Sequence, residues 1–292
     1  MMQRFMTFRQ KLILYARLVR LDRPIGILLL LWPTLWGLWL AAEGLPDLNV
    51  LFIFVLGTIL MRSAGCAIND FADRRIDPHV TRTRNRPLAS GAIQPKEALL
   101  VAAGLSLCAF VLILPLNKLT ILLSVPALLL AASYPFTKRF FAMPQAYLGI
   151  AFSFGIPMAF AAQTNSLPFI IWPLLFANLC WVIAYDTEYA MVDREDDLKI
   201  GVKTSAITLG RFDVAGIMLC YVAFLSLLVY VGLATQRGIW FYAALLVTSG
   251  LVLHQYQLIR DRDPSNCFRA FLDNNVMGAT VFIGIALDTA FA

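Results

Sequence analysis

Two clusters of acidic side chains stand out in this sequence, because each directly follows a long apolar run. The first cluster occupies residues 69–77 and reads NDFADRRID. If the run is a helix that continues through the cluster, Asn69, Asp73 and Asp77 share one face, with Asp70 beside them. Oxygen ligands this close repel one another unless a cation holds them, and they suit Mg²⁺ bridged to a phosphate group. The spacing predicts a metal site and a phosphorylated substrate; the alternative is that the acids only pair with nearby arginines.

The second acidic cluster follows more than 100 residues later, again at the end of a long apolar run. Asp193 and Asp197 lie 7 and 11 residues after Asp186. These steps are close to whole turns of an α-helix with about 3.6 residues per turn, so the three carboxylates share one face. The two acid-lined helix ends can therefore oppose each other across a single site.

The composition is that of an integral membrane protein. Of the 292 residues, 60% are hydrophobic and 14% are charged, and the mean hydropathy is +0.73, far from the balance of soluble proteins. We predict a single all-α membrane domain over residues 1–292. About nine apolar runs approach the roughly 20 residues that a helix needs to cross the hydrocarbon, at 25–43, 50–69, 97–115, 119–135, 145–163, 168–189, 213–233, 239–257 and 272–291.

The basic residues predict how these helices are oriented. If the N-terminus is cytoplasmic, 21 of the 24 Lys and Arg residues lie in cytoplasmic segments, and the outer loops hold only Lys118 and Arg237. This asymmetry is the one that the positive-inside rule expects, and it places both acidic clusters on the cytoplasmic side. The net charge of +6 is then explained by attraction to anionic lipid, and we expect no nucleic acid partner.

Residues 1–24 are predicted to form an amphipathic segment on the cytoplasmic surface. This arginine-rich stretch contains Phe5, Phe8, Leu12 and Tyr15, and such a mixture is typical of a helix that lies in the membrane interface. It lacks a small-residue cleavage site, which argues against a signal peptide.

Each acidic cluster is followed by a polar loop that carries cations and hydroxyl groups. The loop at 81–91 reads TRTRNRPLASG, and the loop at 199–205 reads KIGVKTS. Guanidinium and ammonium groups bind phosphate oxygens, so the loops can close over a diphosphate that metal already bridges. The alternative is ordinary binding of lipid headgroups. Arg62 lies inside a predicted helix, where an arginine is costly unless it meets a polar cavity or an acid.

The two clusters match the motifs NDxxDxxxD and DxxxxxxDxxxD, and in them the chain resembles the membrane-embedded aromatic prenyltransferases. Nearly the whole chain takes part in the resemblance, and it looks like the bacterial members that prenylate 4-hydroxybenzoate in ubiquinone biosynthesis. The further matching segments are LDRPIG at 21–26, LLLWPTLW at 29–36, MRSAGC at 61–66, NRPLASG at 85–91, YPFTKR at 134–139, AYDTEYAMVDREDD at 184–197 and KIGVKTSA at 199–206.

This resemblance implies a helical bundle around a central cavity that opens sideways to lipid, in the bacterial inner membrane. It also implies Mg²⁺ as cofactor, with a polyprenyl diphosphate and 4-hydroxybenzoate as substrates and no obligate protein partner. The reaction would then be electrophilic aromatic substitution: diphosphate leaves, the ring carbon ortho to the hydroxyl attacks the allylic cation, and loss of the ring proton restores aromaticity.

The site residues that we expect fall into three groups. The metal ligands would be Asn69, Asp70, Asp73, Asp77, Asp186, Asp193 and Asp197. Catalysis would depend most on Asp70, Asp73, Asp186 and Asp193. The substrates would be bound by Arg23, Arg62, Arg86, Lys138, Arg139, Tyr185, Tyr189, Lys199 and Lys203.

Lys138 and Arg139 are the residues that we expect to meet the benzoate carboxylate, because they follow aromatic side chains that can stack on its ring. The alternative is that this pair is only a positive-inside anchor.

Two other functions are considered. A prenyltransferase with a homogentisate, naphthoate or haem acceptor would carry the same motifs, so the acceptor is what separates it from our prediction. An ion-coupled transporter can also use buried acids and arginines, but it would not need two acidic clusters backed by basic loops on one side.

Overall fold

The computed structural model describes residues 7–291, and every regular element in that range is a helix. The all-α prediction is therefore confirmed, whereas Phe5 and the rest of the first six residues lie outside the described residues. The thirteen α-helices are α1 Phe8–Leu18, α2 Ile25–Ala42, α3 Leu48–Asp73, α4 Pro95–Ile113, α5 Lys118–Thr137, α6 Pro144–Ser153, α7 Gly155–Thr164, α8 Ile171–Val192, α9 Arg194–Ile200, α10 Ser205–Leu209, α11 Asp213–Ala234, α12 Ile239–Ile259 and α13 Pro264–Phe291.

Each of the nine predicted apolar runs coincides with a long helical segment. Between residues 7 and 291, eight segments are long and apolar enough to cross a membrane, with α6 and α7 forming one and α10 and α11 contributing to another. The ninth long helix, α8, carries Asp186 and Glu188 in its second half, which lowers its apolar content. The chain is a multi-pass membrane protein, and its orientation and a count of nine spans stay predictions.

Three helix boundaries differ from the sequence-based prediction. The helix α3 ends at Asp73, and Asp77 begins a short 3₁₀ turn; Pro78 cannot continue the α-helix here, because it has no N–H for the carbonyl of Arg74. The predicted helix 145–163 is broken between α6 and α7, since Pro157 has no N–H for the carbonyl of Ser153 and clashes with it. The second acidic cluster is also interrupted, because Asp193 separates α8 from α9.

The helix α8 lies at the centre of the bundle and packs against α6, α11 and α13. Its contact with α2 and α11 is built on aromatic rings: the centroids of Trp36 and Trp181 lie 5.2 Å apart, and those of Trp181 and Phe224 lie 5.9 Å apart. Both indole N–H groups are satisfied, by the Gly278 carbonyl at 3.1 Å and by Asn274 Oδ1 at 2.8 Å. Such rings bury large areas while their polar atoms stay paired, so they fix the position of α8.

The helix α1 lies within the predicted amphipathic segment 1–24 and has Thr7 as its N-cap. Phe8, Leu12 and Ile13 are exposed, whereas Leu18 is fully buried. One side of α1 therefore packs on the bundle, and its other side leaves apolar side chains at the surface.

Candidate functional site

A polar cavity of about 140 Å³ lies at the end of the bundle where the two acidic clusters meet. The structure therefore brings together the two clusters that the sequence predicted to oppose each other. We call this region the motif end of the bundle. The polar residues that line the cavity include the amide of Asn69, the carboxylates of Asp73, Asp77, Asp186, Asp193 and Asp197, and the cations of Arg82, Arg86, Lys138 and Lys203.

The first cluster reaches the cavity from a helix and from a turn. Asn69 and Asp73 lie one turn apart on α3 and share a face, as the sequence predicted. Asp77 follows in the 3₁₀ turn, where its carbonyl accepts a hydrogen bond of 2.9 Å from the Thr83 hydroxyl. This bond folds the loop 80–93 back over the site. The cluster thus converges on the cavity even though the helix does not continue through it.

The orientation of α8 about its own axis determines which of its acidic side chains face the cavity. Asp186 and Tyr189 line the cavity, whereas Glu188 is fully buried between α8, α11 and α13. The Glu188 carboxylate accepts hydrogen bonds of 2.8 Å from Tyr221 and from Asn274. Loss of these donors would strongly destabilise the fold, because a buried carboxylate would be left unpaired. The network therefore fixes the orientation of α8, which keeps Asp186 on the cavity side.

Three cations of the cavity are paired with three of its five carboxylates. Lys138 pairs with Asp73, and Arg82 pairs with Asp193. Arg86 contacts Asp77 at 3.0 Å. Each pair joins different segments of the chain, so these contacts close the cavity as well as neutralising it.

The remaining oxygen atoms are available to a ligand. Within residues 7–291, Asp186 and Asp197 have no cation within 4.0 Å, and Asp73 Oδ1 is buried without a hydrogen-bond partner. Burial raises the pKa of Asp197 to about 6, and the neighbouring carboxylate of Asp193 adds to this effect. A cation that bound these oxygens would reduce the repulsion between the carboxylates and would give the buried oxygen of Asp73 a partner.

The chemistry of the donors fits Mg²⁺ that is shared with a diphosphate. Throughout the described part of the chain, no three His, Cys, Asp or Glu side chains are close enough together to hold a metal ion by themselves. Mg²⁺ does not require such a cage, because it is usually bound by one or two carboxylates together with water and substrate phosphates. Five carboxylates beside four cations therefore suit metal and diphosphate that bind together.

A second, apolar cavity of about 300 Å³ lies between α2, α3, α4, α5, α6 and α7. Tyr134 lines both cavities, so the polar and apolar spaces share one wall. Phe110 on α4 and Leu129 on α5 line the apolar cavity and are also exposed on the outside of the bundle. The apolar cavity therefore reaches the surface between α4 and α5.

Arg62 occupies the wall of the apolar cavity. Its Nε is buried without a hydrogen-bond partner, and no carboxylate of the described chain lies within 4.0 Å of it. Its guanidinium lies 5.6 Å from the centroid of the Phe152 ring, and it also contacts Gly26 so closely that a Cβ there would come within 2.6 Å of it. A buried guanidinium without an acid is costly unless a ligand supplies the anion.

Five of the predicted site residues lie outside both cavities. Asp70 is 1% exposed and pairs with Arg20 and Arg86, and Tyr185 is buried in the core. Arg23 and Lys199 are exposed and only contact the acids next to them. Arg139 donates to the Ala72 carbonyl and lies 5.4 Å from the Phe136 ring centroid. The structure thus does not bring these side chains to either cavity.

Several polar residues of the cavity were not among the predicted site residues: Arg82, Thr83, Tyr134, Gln145 and Thr204. Arg82 pairs with Asp193 and lies 4.4 Å from the ring centroid of Tyr189, and its only signal was its position in the arginine-rich loop. Gln145 lines the cavity and accepts a hydrogen bond of 2.8 Å from the Ser205 N–H. Nothing in the sequence around Gln145 distinguished it from other polar residues at helix ends.

Comparison with known proteins places this site in a family context. The model of the UbiA prenyltransferase family matches residues 30–283. A 4-hydroxybenzoate octaprenyltransferase of Nitrosomonas europaea is 76% identical over 286 residues, which cover 98% of this chain and 98% of that protein. The 4-hydroxybenzoate octaprenyltransferase of Nitrosospira multiformis is 69% identical and covers 97% of this chain and 98% of its own length.

Solved structures share the fold. The apo structure of a UbiA homolog from Aeropyrum pernix has a TM-score of 0.79 and 25% identity, over 89% of this chain and 97% of that one. A UbiA homolog from Archaeoglobus fulgidus bound to GPP and Mg²⁺ has a TM-score of 0.74 and 19% identity, over 96% of this chain and 100% of that one.

Proposed function

Because the chain belongs to the UbiA prenyltransferase family, we propose that it transfers a polyprenyl group to the ring carbon ortho to the hydroxyl of 4-hydroxybenzoate. The donor is a polyprenyl diphosphate, and the products are 3-polyprenyl-4-hydroxybenzoate and diphosphate. The relatives named 4-hydroxybenzoate octaprenyltransferase support this acceptor. The reaction belongs to ubiquinone biosynthesis, in the bacterial inner membrane, with the motif end toward the cytoplasm.

The observation that carries the proposal is the wall that Tyr134 shares between the two cavities. A polyprenyl diphosphate has a charged head and an apolar tail, and each cavity suits one of these parts. The scissile bond between C1 and the diphosphate oxygen would then lie near Tyr134. An aromatic ring there can stabilise the allylic cation that forms when the bond breaks.

The residues around the polar cavity would hold metal and diphosphate together. Asn69, Asp73, Asp186 and Asp197 are the oxygen donors with capacity to hold Mg²⁺, and Asp77 and Asp193 can join them when their cations turn to the diphosphate. When bound, Mg²⁺ would neutralise diphosphate oxygens and so make diphosphate a better leaving group.

The cations of the cavity would receive the leaving group. Lys138 and Arg82 are each paired with one carboxylate, and a diphosphate would replace these acids as their partner. Arg86 contacts two carboxylates, and a diphosphate would bind it as a further anion. Burial lowers the pKa of Arg86, but the carboxylates of Asp70 and Asp77 outweigh it and keep its pKa raised. Arg86 thus remains charged while diphosphate departs. Charge stabilisation of this kind, in a site with little water, is usually the largest catalytic term.

Arg62 is the residue that we assign to the benzoate carboxylate. It is buried near the junction of the two cavities, without an acidic partner in the structure, and Phe152 and Tyr134 line the same space. Lys138, which the sequence favoured together with Arg139, is engaged with Asp73. The aromatic acid would therefore be held away from the diphosphate, with its ring beside the place where the cation forms.

The acceptor and the role of Arg62 can be tested in one experiment. Membranes with the wild-type chain, labelled octaprenyl diphosphate and Mg²⁺ are expected to prenylate 4-hydroxybenzoate in preference to homogentisate or a naphthoate. Arg62→Met should raise the KM for 4-hydroxybenzoate at least about tenfold, because a charge-assisted contact is lost. The KM for the donor should change much less.

The control for this experiment is Arg75→Met, which removes an exposed arginine near the motif end and should leave both constants unchanged. Preference for another acceptor by the wild type would refute the proposed function. An unchanged KM for 4-hydroxybenzoate in Arg62→Met, combined with a raised value in Arg139→Ala, would return the carboxylate to the residue that the sequence favoured.

The apolar cavity predicts how donor length interacts with substitutions along α3. Gly57 and Gly65 line this cavity, and a Cβ added at either meets no described atom within 4 Å. Gly57 lies 12 residues before Asn69, or about 18 Å along the helix axis, so only long prenyl tails reach it. Gly57→Leu should therefore raise the KM for octaprenyl diphosphate on the order of tenfold and spare dimethylallyl diphosphate.

Gly65→Leu, much closer to Asn69, should impair donors of both lengths. The matched control is Gly250→Leu on α12, where the glycine is exposed and equally free of neighbours. If Gly57→Leu raised the KM equally for short and long donors, the prenyl tail would have to take another route.

A further inference from the structure

Asp70 has surroundings unlike those of the other acidic residues in its cluster. It is 1% exposed and does not line the polar cavity. Its Oδ1 accepts a hydrogen bond of 2.7 Å from Arg20 and one of 3.2 Å from Arg86. Both cations contact this one oxygen, and within residues 7–291 Asp70 Oδ2 is buried without a hydrogen-bond partner. Asp73 and Asp186, in contrast, line the cavity itself. The position of Asp70 is that of a support behind the site.

Arg86 connects this support to the cavity. Its Nη1 contacts both Asp70, at 3.2 Å, and Asp77, at 3.0 Å, and Arg86 lines the cavity itself. A guanidinium fixed at two carboxylates keeps its planar donors in one orientation. Arg86 is thus held ready for a third anion, which in the cavity would be diphosphate.

Arg20 is itself held firmly. Its backbone has φ of +61°, a left-handed conformation that is uncommon for a residue other than glycine, and its side chain donates to the Arg17 carbonyl at 2.7 Å. The preceding Leu18 is fully buried against Ala67 of α3 and Leu88 of the loop that carries Arg86. The end of α1 therefore packs beneath that loop and places Arg20 against Asp70.

We propose that Asp70 and Arg20 are positioning residues that hold the Arg86 guanidinium at the polar cavity for the diphosphate of the donor. Asp70 then acts without binding metal, contrary to the expectation from its place in the motif. The segment before α2 contributes to the site through this contact, beyond any role in anchoring at the membrane surface. This inference rests on the proposed function, since it takes diphosphate as the ligand of Arg86.

The test uses Arg20→Met and Asp70→Asn in the full chain. Each should weaken binding of inorganic diphosphate in the presence of Mg²⁺ and raise the KM for the prenyl diphosphate, both by about tenfold. The KM for 4-hydroxybenzoate and the metal concentration for half-maximal activity at saturating donor should stay unchanged. The double variant should be no worse than the single variants, because both remove the same support.

Arg17→Met is the matched control, since it removes an exposed cation from the same helix and should behave as the wild type. Arg20→Lys, which keeps a charge that can reach Asp70, should recover part of the diphosphate affinity even if Arg20→Met folds poorly. If Arg20→Met binds diphosphate normally, or if Asp70→Asn instead raises the metal requirement, the inference is overturned. Because diphosphate binding is measured without acceptor, a wrong acceptor would contradict the proposed function alone.

Discussion

Replacing Asp73 or Asp193 with Ala is expected to lower prenyl transfer by a factor on the order of 10³, while the protein still inserts into the membrane. Asp73 is 2% exposed, lines the cavity, and keeps one oxygen without a partner. Asp193 lies at the break between α8 and α9, opposite Asp73's helix. Both would take part in holding metal and diphosphate, so neither loss can be made good by the other cluster.

The fold should tolerate both substitutions, because the cation that each one leaves unpaired is partly exposed to water. The partner of Asp73 is Lys138, whose side chain is 23% exposed, and the partner of Asp193 is Arg82, at 25%. Cations with this much access to water can remain hydrated when their acid is removed, so the cost falls well below that of a fully buried unpaired charge. Thermal unfolding in detergent should therefore change little compared with the loss of activity.

Glu195→Ala provides the comparison for both variants, because this exposed acid belongs to the second cluster but does not line the cavity. Its transfer rate should stay within about twofold of wild type, as is usual for exposed surface charges. Near-normal transfer in Asp73→Ala or Asp193→Ala would refute the interpretation of the two clusters as one metal–diphosphate site. Parallel loss in Glu195→Ala would point to a general effect of charge at the motif end.

The helices could be predicted from the sequence because membrane spans are long and almost uninterrupted. Every predicted run coincides with a helical segment, and the family prediction from the motifs is confirmed. The boundaries were harder, since they depend on single residues: Pro157 divides α6 from α7, and Pro78 ends the helical path before Asp77. A hydropathy pattern averages over such positions and does not register them.

The site shows the same division between what spacing can and cannot predict. The spacing of acids in each cluster indicated which carboxylates converge, and all but Asp70 line the cavity. The choice among cations was poorer, because partners such as Arg82 and Asp193 lie 111 residues apart in the chain. In the sequence, the surroundings of exposed cations such as Arg23 and Lys199 look like those of the cations at the cavity. Only the packing of the loops distinguishes them.

Chelation of divalent metal is expected to abolish transfer, and addition of Mg²⁺ or Mn²⁺ should restore it. The reason is electrostatic: a diphosphate that entered the cavity alone would meet five carboxylates. The four cations of the cavity cannot offset this repulsion, because three of them are already paired with those carboxylates. The measurement is the initial rate in membranes washed with EDTA, before and after metal is added back, with Ca²⁺ as a larger ion for comparison.

The same experiment has a readout that does not depend on turnover. Because Lys138, Arg86 and Arg82 neutralise carboxylates of the metal-free protein, chelation should leave the midpoint of thermal unfolding nearly unchanged. Inorganic diphosphate should raise that midpoint only when Mg²⁺ is present, by the equivalent of about 2.7 kcal/mol at a concentration 100 times its Kd. Full activity after exhaustive chelation, or diphosphate stabilisation without metal, would contradict the shared site. A large loss of stability on chelation would instead mean that the metal holds the fold, which the internal ion pairs of this cavity argue against.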